Sequence, residues 1–232
     1  MSTKNKHHRR SIRLKGYDYT QPGAYFVTIC THGREMLFGQ VVNGEMILNE
    51  WGQIVWEEWF RTAHVRPYVR LYDDEFVVMP NHIHGIIWIV ATDTPHEMRP
   101  PVKATRRVAP TDERPRGPVP RSLGAIIGQF KSIVTKRINA RRGTPGAPVW
   151  QRNYYEHIIR TERALNAIRR YIAANPRRWH LDRDNPAALG PDPWAQDIWR
   201  LMNAEGQSPP RVGSSPRLSP TRTNTPANEE QP

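Results

Sequence analysis

The stretch MPNHIHGIIWIV, residues 79–90, sets two histidines, His82 and His84, into a run otherwise as apolar as a buried strand. Side chains alternate along a strand, so both imidazoles face the same way, about 7 Å apart, and can share one ligand. On that alternation Val77, Met79, Ile83, Ile87 and Ile89 make the opposite face, while Ile86, Trp88 and Val90 continue the histidine face. Both faces are expected to be covered, and imidazoles there need partners. Pro80 has no N–H for a ladder bond and predicts a break or bulge before Asn81. Histidine is the commonest metal-ligand side chain, and two on one strand face offer two nitrogens to one ion. A single histidine would equally fit a local hydrogen-bonding role, and His-x-His also occurs in unrelated enzymes.

Metal-assisted chemistry on a phosphoester needs a further ligand and a nucleophile. RALNAIRRYIAANPRRW, residues 163–179, holds residue types for both. At helical spacing Leu165, Ile168 and Ile172 form a core stripe, and Tyr171 and Asn175 stand one turn apart on an adjoining edge. The same two residues also fit ordinary roles, a packing tyrosine and an asparagine that stops a helix before Pro176. Tyr154 and Tyr155, in YYEH on an expected strand, are weaker nucleophile candidates because neither stands a helical turn from a potential ligand. Arg169 and Arg170 are candidate cations for lowering the phenol's pKa, and Glu156 and His157 a candidate pair near the site.

These residues must be positioned by a small number of elements. AYFVTICT, residues 24–31, reads as a central strand, and Asn43-Gly44 between two apolar runs has the composition of a type I′ hairpin turn. Trp51, Ile54, Val55 and Trp59 recur at helical spacing from Asn49 to Ala63, and a second long strand is expected over Glu75–Val90. SLGAIIGQFKSIVTKRINARR follows, an amphipathic helix capped by Ser122, with Ile126, Ile127, Phe130, Ile133, Val134 and Ile138 opposite Lys131, Lys136, Arg141 and Arg142. VWQRNYYEHIIR reads as a strand, and the Tyr171 helix starts near Glu162. Strand, hairpin, helix, strand, helix, strand, helix predicts an α+β sandwich with helices packed on an antiparallel or mixed sheet.

Around this unit, residues 1–22 form a basic arm, 91–121 a Pro/Arg-rich loop, 183–202 an extension and 203–232 a tail too poor in apolar residues to fold alone. The chain of 232 residues carries a formal charge of +12, which favours polyanionic partners, nucleic acid above all. One cysteine, Cys30, excludes an intramolecular disulfide. No apolar stretch is long enough for a membrane span, and the basic N-terminus lacks the apolar segment of a signal peptide, so a cytoplasmic location is expected.

Taken in order, FVTICT, VVMPNHIHGIIWI, LGAIIGQFKS, WQRNYYEHIIR and YIAANPRRW resemble the REP-associated tyrosine transposases, within the single-tyrosine branch of the HUH endonucleases. The likeness covers roughly residues 9–182 and omits the tail. It implies a ferredoxin-like α+β domain that cuts and rejoins single-stranded DNA beside hairpins, through a 5′-phosphotyrosine. Carried onto this chain, it makes His82, His84 and Asn175 metal ligands for Mg²⁺ or Mn²⁺ and Tyr171 the nucleophile. Many members of the branch have glutamine where Asn175 stands, and the long loop at 91–121 exceeds the compact family pattern. Arg9, Arg10, Arg13, Lys15, Lys131, Lys136, Arg141 and Arg142 are candidate phosphate contacts, and Trp150, Tyr154 and Trp179 candidate base-stacking groups. The family admits a monomer or a homodimer. The alternative is a non-catalytic DNA-hairpin-binding protein that keeps the fold, and a phosphoesterase using water in place of tyrosine is a third reading.

Overall fold

The computed structural model describes residues 14, 16–91 and 117–206. Arg9, Arg10, Arg13 and Lys15, most of the 91–121 loop and the tail beyond residue 206 lie outside the described residues.

The chain runs β1 (Gly23–Cys30), β2 (Gly39–Val42), β3 (Glu45–Leu48), α1 (Glu50–His64), β4 (Val69–Arg70), β5 (Phe76–Met79), β6 (His82–Ile89), α2 (Leu123–Arg142), β7 (Tyr155–Ile159), α3 (Glu162–Ala174) and α4 (Pro193–Gly206). The order β4-β6-β1-β7, with β5 also paired to β6, makes an antiparallel five-stranded sheet. The path β1-α1-β5-β6-α2-β7 is the ferredoxin-like arrangement, so the fold is α+β as expected. Helices α1 and α2 cover one sheet face through Ile54, Val55, Trp59, Ile126, Ile127, Phe130 and Val134, which meet Val27, Ile29, Ile83 and Ile87. The other face, with Phe26, Ile86 and Trp88, is covered by Leu165, Ile168 and Tyr171 of α3 and Ile198 and Met202 of α4.

Local chemistry accounts for the element ends. Asn49, Ser122 and Thr161 each accept a backbone N–H at the start of α1, α2 and α3, worth about 1 kcal/mol per cap. Asn43 and Gly44, both at positive φ (52° and 79°), make the expected tight turn between β2 and β3.

Two expectations are corrected. The strand expected over Glu75–Val90 is a hairpin: β5 turns back at Pro80-Asn81 and pairs with β6, Met79 opposite His82 and Val77 opposite His84. The reversal places Val77 and Met79 on the histidine face and not opposite it, because cross-strand partners share a face. The C-terminal extension also contains an unforeseen helix, α4, whose last turn passes the boundary set at residue 203. Asp192 caps it, accepting the N–H of Ala195 at 3.1 Å.

Candidate metal centre and tyrosine site

The centre sits at the start of β6, on the central strands. His82 and His84 are fully buried. Their Nε2 atoms approach to 3.0 Å, and Tyr171 Oη lies 3.3 Å from His84 Nε2. Asn81 fixes His82: the ring's Nδ1–H donates to Asn81 Oδ1 at 2.9 Å, which leaves the Nε2 lone pair facing inward. The Asn81 amide in turn donates to the carbonyls of Asp184 (2.7 Å) and Arg34 (3.3 Å), tying the turn to the segment after α3. His84 Nδ1 is 2.8 Å from Thr28 Oγ1, a hydroxyl able to donate or accept. His84 can therefore give its Nε2 proton to His82, or keep the proton on Nδ1 and present a second inward lone pair. The phenol of Tyr171 meets this arrangement because Glu162–Ala174 buries one face of α3 on the sheet, which brings Tyr171 against Phe26 and His84.

Sequence reasoning missed Asp182. One carboxylate oxygen of Asp182 and one nitrogen of each histidine lie within 4.8 Å of one another, and all three residues are buried. The signal was a bare DRD after Pro176, at no periodic distance from the histidines. Asn175 is also buried, and its Oδ1 has no hydrogen-bond partner among the described residues. Two cis ligands on an ion with bonds of about 2.1 Å stand about 3.0 Å apart, the separation seen between the Nε2 atoms. Two imidazoles and a carboxylate thus form a cluster that could hold a divalent cation.

Burial depresses the proton affinity of both histidines, His84 the further because His82 lies against it, so both rings are neutral at pH 7. Burial pushes the Tyr171 phenol above its ordinary range, and Asp182 and Asp184 push the same way; Arg183 and a hydrogen bond from Asn175 oppose them. Arg183 is therefore the cation that bears on the phenol. Arg169, a candidate for that role, is turned away to Glu75, whose carboxylate also accepts the indole N–H of Trp88 at 2.6 Å. Arg170 is exposed.

Other candidates fall as follows. Glu156 and His157 lie opposite Val27 and Phe26 on an alternating strand, so they point to opposite sheet faces and do not pair at the site. Trp150 is a core residue, tilted against Phe38 and Phe130. Trp179 stands 5.9 Å from the His82 ring, and Tyr154 packs against the core. Arg141 is paired with Glu50 and Arg142 bonded to Asn139; Lys131 and Lys136 face a groove described below. Tyr171 itself is covered, only 4% exposed, by Trp194 and Trp199 of α4. A cavity of about 130 Å³ remains between these rings, Asn175, Asp182 and Arg183.

Fold and site together define a ferredoxin-like α+β protein with a buried histidine-pair centre and an adjoining tyrosine. No protein-family model matches the chain. It is 42% identical over 177 residues, 76% of this chain and 93% of the relative, to an uncharacterized protein of Haemophilus influenzae, and it belongs to the same family as that protein. Among solved structures, a REP-associated tyrosine transposase bound to a REP hairpin is similar at 17% identity and a TM-score of 0.42, over 71% of this chain and 73% of that one.

Proposed function

We propose that this protein is a metal-dependent transposase-type endonuclease that cuts and rejoins single-stranded DNA near hairpins, with Tyr171 as nucleophile. The observation that carries the reading is the placement of the Tyr171 hydroxyl 3.3 Å from Nε2 of His84, in a buried centre of two imidazoles and a carboxylate. The ordered sequence blocks that resemble the REP-associated tyrosine transposases support it independently.

His82, His84 and Asp182 would hold the ion, with Asn175 Oδ1 available to join them. A bound divalent cation supplies Lewis acidity to a phosphate oxygen as charge develops there. The chain's own residues do the rest. Tyr171 Oη forms a bond to phosphorus as the bond to the 3′-oxygen breaks, and the phenolic proton ends on the departing 3′-hydroxyl. Arg183 and Asn175 favour the phenolate during attack. The phosphotyrosine conserves the phosphodiester bond, so attack by another 3′-hydroxyl restores Tyr171 and joins new ends without a nucleotide cofactor.

One observation favours a second reading, a hairpin-binding protein without catalysis: Tyr171 lies beneath Trp194 and Trp199, so a strand must displace α4 side chains to reach it. The experiment that decides is incubation with hairpin-containing single-stranded DNA and Mn²⁺ or Mg²⁺, followed by denaturing electrophoresis and mass spectrometry. A metal-dependent adduct on Tyr171, lost in Tyr171→Phe, is the expected result. Hairpin binding with no adduct would establish the second reading. Cleavage that survives Tyr171→Phe would assign the site to a hydrolase using water.

A further inference from the structure

The cations of α2 divide sharply. On the side facing α1, Arg137 is bonded to Glu57 and Glu58 at 2.7 Å each, and Arg141 is paired with Glu50. These charges are neutralised within the fold. On the other side α2 and the segment 145–152 enclose an open groove of about 780 Å³ that receives Lys131, Lys136 and Arg152. No aspartate or glutamate lines it, and among the described residues Lys136 and Arg152 have no acidic partner. Ser132 and Thr135 add hydroxyls, while Pro148 and Val149 give an apolar wall. Gly128 and Gly146 leave both sides bare, with no heavy atom within 4 Å of where a Cβ would stand.

The groove is joined to the centre by backbone. Lys131 Nζ donates to the carbonyls of Gln151 (2.5 Å) and Arg152 (3.2 Å), which leaves its third proton for a ligand. Gln151 N donates to Cys30 O at 2.9 Å, and Cys30 is the register partner of His82. Lys131 is thus anchored, on the α2 side of the sheet, at the same sheet end as His82.

Resting on the transposase reading, we propose that this groove is a track for the phosphodiester backbone of the single-stranded DNA that flanks the hairpin, leading it to the sheet end where His82 lies. Its size is that of pockets enclosing a small molecule, about 300–1,000 Å³, and suits a few nucleotides of single strand. Phosphates would bridge Lys131, Lys136 and Arg152, with sugar or base against Pro148 and Val149.

The test is fluorescence anisotropy of a short labelled oligothymidylate in EDTA, with wild type and with the exposed double variant Lys136→Glu/Arg152→Glu. The expected result is at least a tenfold loss of affinity at low salt. The slope of log affinity against log salt should also become shallower by about 1.4, at about 0.7 per lost phosphate contact on a single strand. A control of equal net charge, Arg163→Glu/Arg177→Glu, should keep the wild-type slope. Unchanged affinity and slope in the groove variant, with a native circular dichroism spectrum, would overturn the proposal. So would an equal loss on a blunt-ended hairpin, which would assign the groove to the stem. Because the assay needs neither metal nor Tyr171, absence of the covalent adduct would sink the enzyme reading and leave the groove result standing.

Discussion

Gly85 stands between the histidines and the helical layer, and replacing it with alanine tests how that layer supports the site. Gly85 faces α1, where Trp59 lies stacked on Phe76 with ring centroids 4.5 Å apart. A Cβ at Gly85 would lie 2.4 Å from Cζ2 and 2.8 Å from Cη2 of Trp59, and 3.0 Å from Cδ2 of Phe76. Carbon atoms pack at about 3.5–4.0 Å, so the indole would have to retreat by about 1 Å. It has nowhere to go, since Phe76 stacks on it and Phe130 meets it edge-on at 5.5 Å. Overpacking of this kind costs about 1–3 kcal/mol, and two ring-carbon clashes place Gly85→Ala at about 2–3 kcal/mol. For a domain of this size that is a fall in Tm of about 4–12 °C, at about 2–4 °C per kcal/mol. Thermal unfolding in EDTA measures it. Trp59→Phe removes both clashing atoms, so Gly85→Ala/Trp59→Phe should be less unstable than the sum of the single changes by about 1 kcal/mol or more. A Tm for Gly85→Ala within a degree of wild type, or strict additivity of the pair, would refute the reasoning.

Acid should destabilise the metal-free protein through its buried histidines. Burial lowers the pKa of His82 and His84 and holds His157 at about 4, so the unfolded chain binds protons that the folded chain refuses. The associated stability is present above pH 6.5 and is lost as pH falls, about 3 kcal/mol by pH 4 from His157 alone. Urea unfolding at stepped pH should show this, and His157→Leu should flatten the profile; an equally steep profile in the variant counts against it. Thr28→Val keeps the side-chain shape but removes the partner of His84 Nδ1, and calorimetric titration with Mn²⁺ should find affinity reduced by about 10–100-fold. Undiminished affinity would show that Thr28 does not orient the ring.

Helices α1, α2 and α3 were the most legible part of the fold, because apolar stripes of helical period mark them and Ser122 announces the start of α2. The break at Pro80 was legible, but the chain reversal it makes between β5 and β6 was not. Neither Pro80 nor Asn81 has positive φ, so this two-residue turn is not of the primed type that Asn-Gly spells out at residues 43–44. Two apolar strands of matching character then read as one. Helix α4 could have been found, since Asp192 before Pro193, with Trp194, Ile198 and Met202 at spacings of four, is a capped amphipathic start. At the site, the two histidines and the proximity of Tyr171 were legible from spacing and resemblance. Asp182 was not, because a carboxylate on an irregular segment reaches the histidines through tertiary folding, here the bond from Asn81 to the Asp184 carbonyl.

The aromatic surroundings of the centre also give the molecule an optical handle. Of the chain's eight tryptophans, Trp179 stands 5.9 Å from the His82 ring, and Trp194 and Trp199 stand 6.3 Å and 6.1 Å from Tyr171. A paramagnetic ion arriving among these indoles would quench their emission by contact, whereas diamagnetic Mg²⁺ would not. Titration with Mn²⁺, competed by Mg²⁺, would then read both affinities from the unlabelled protein. Movement of α4 would register in the same signal, because it carries two of these three indoles away from the third.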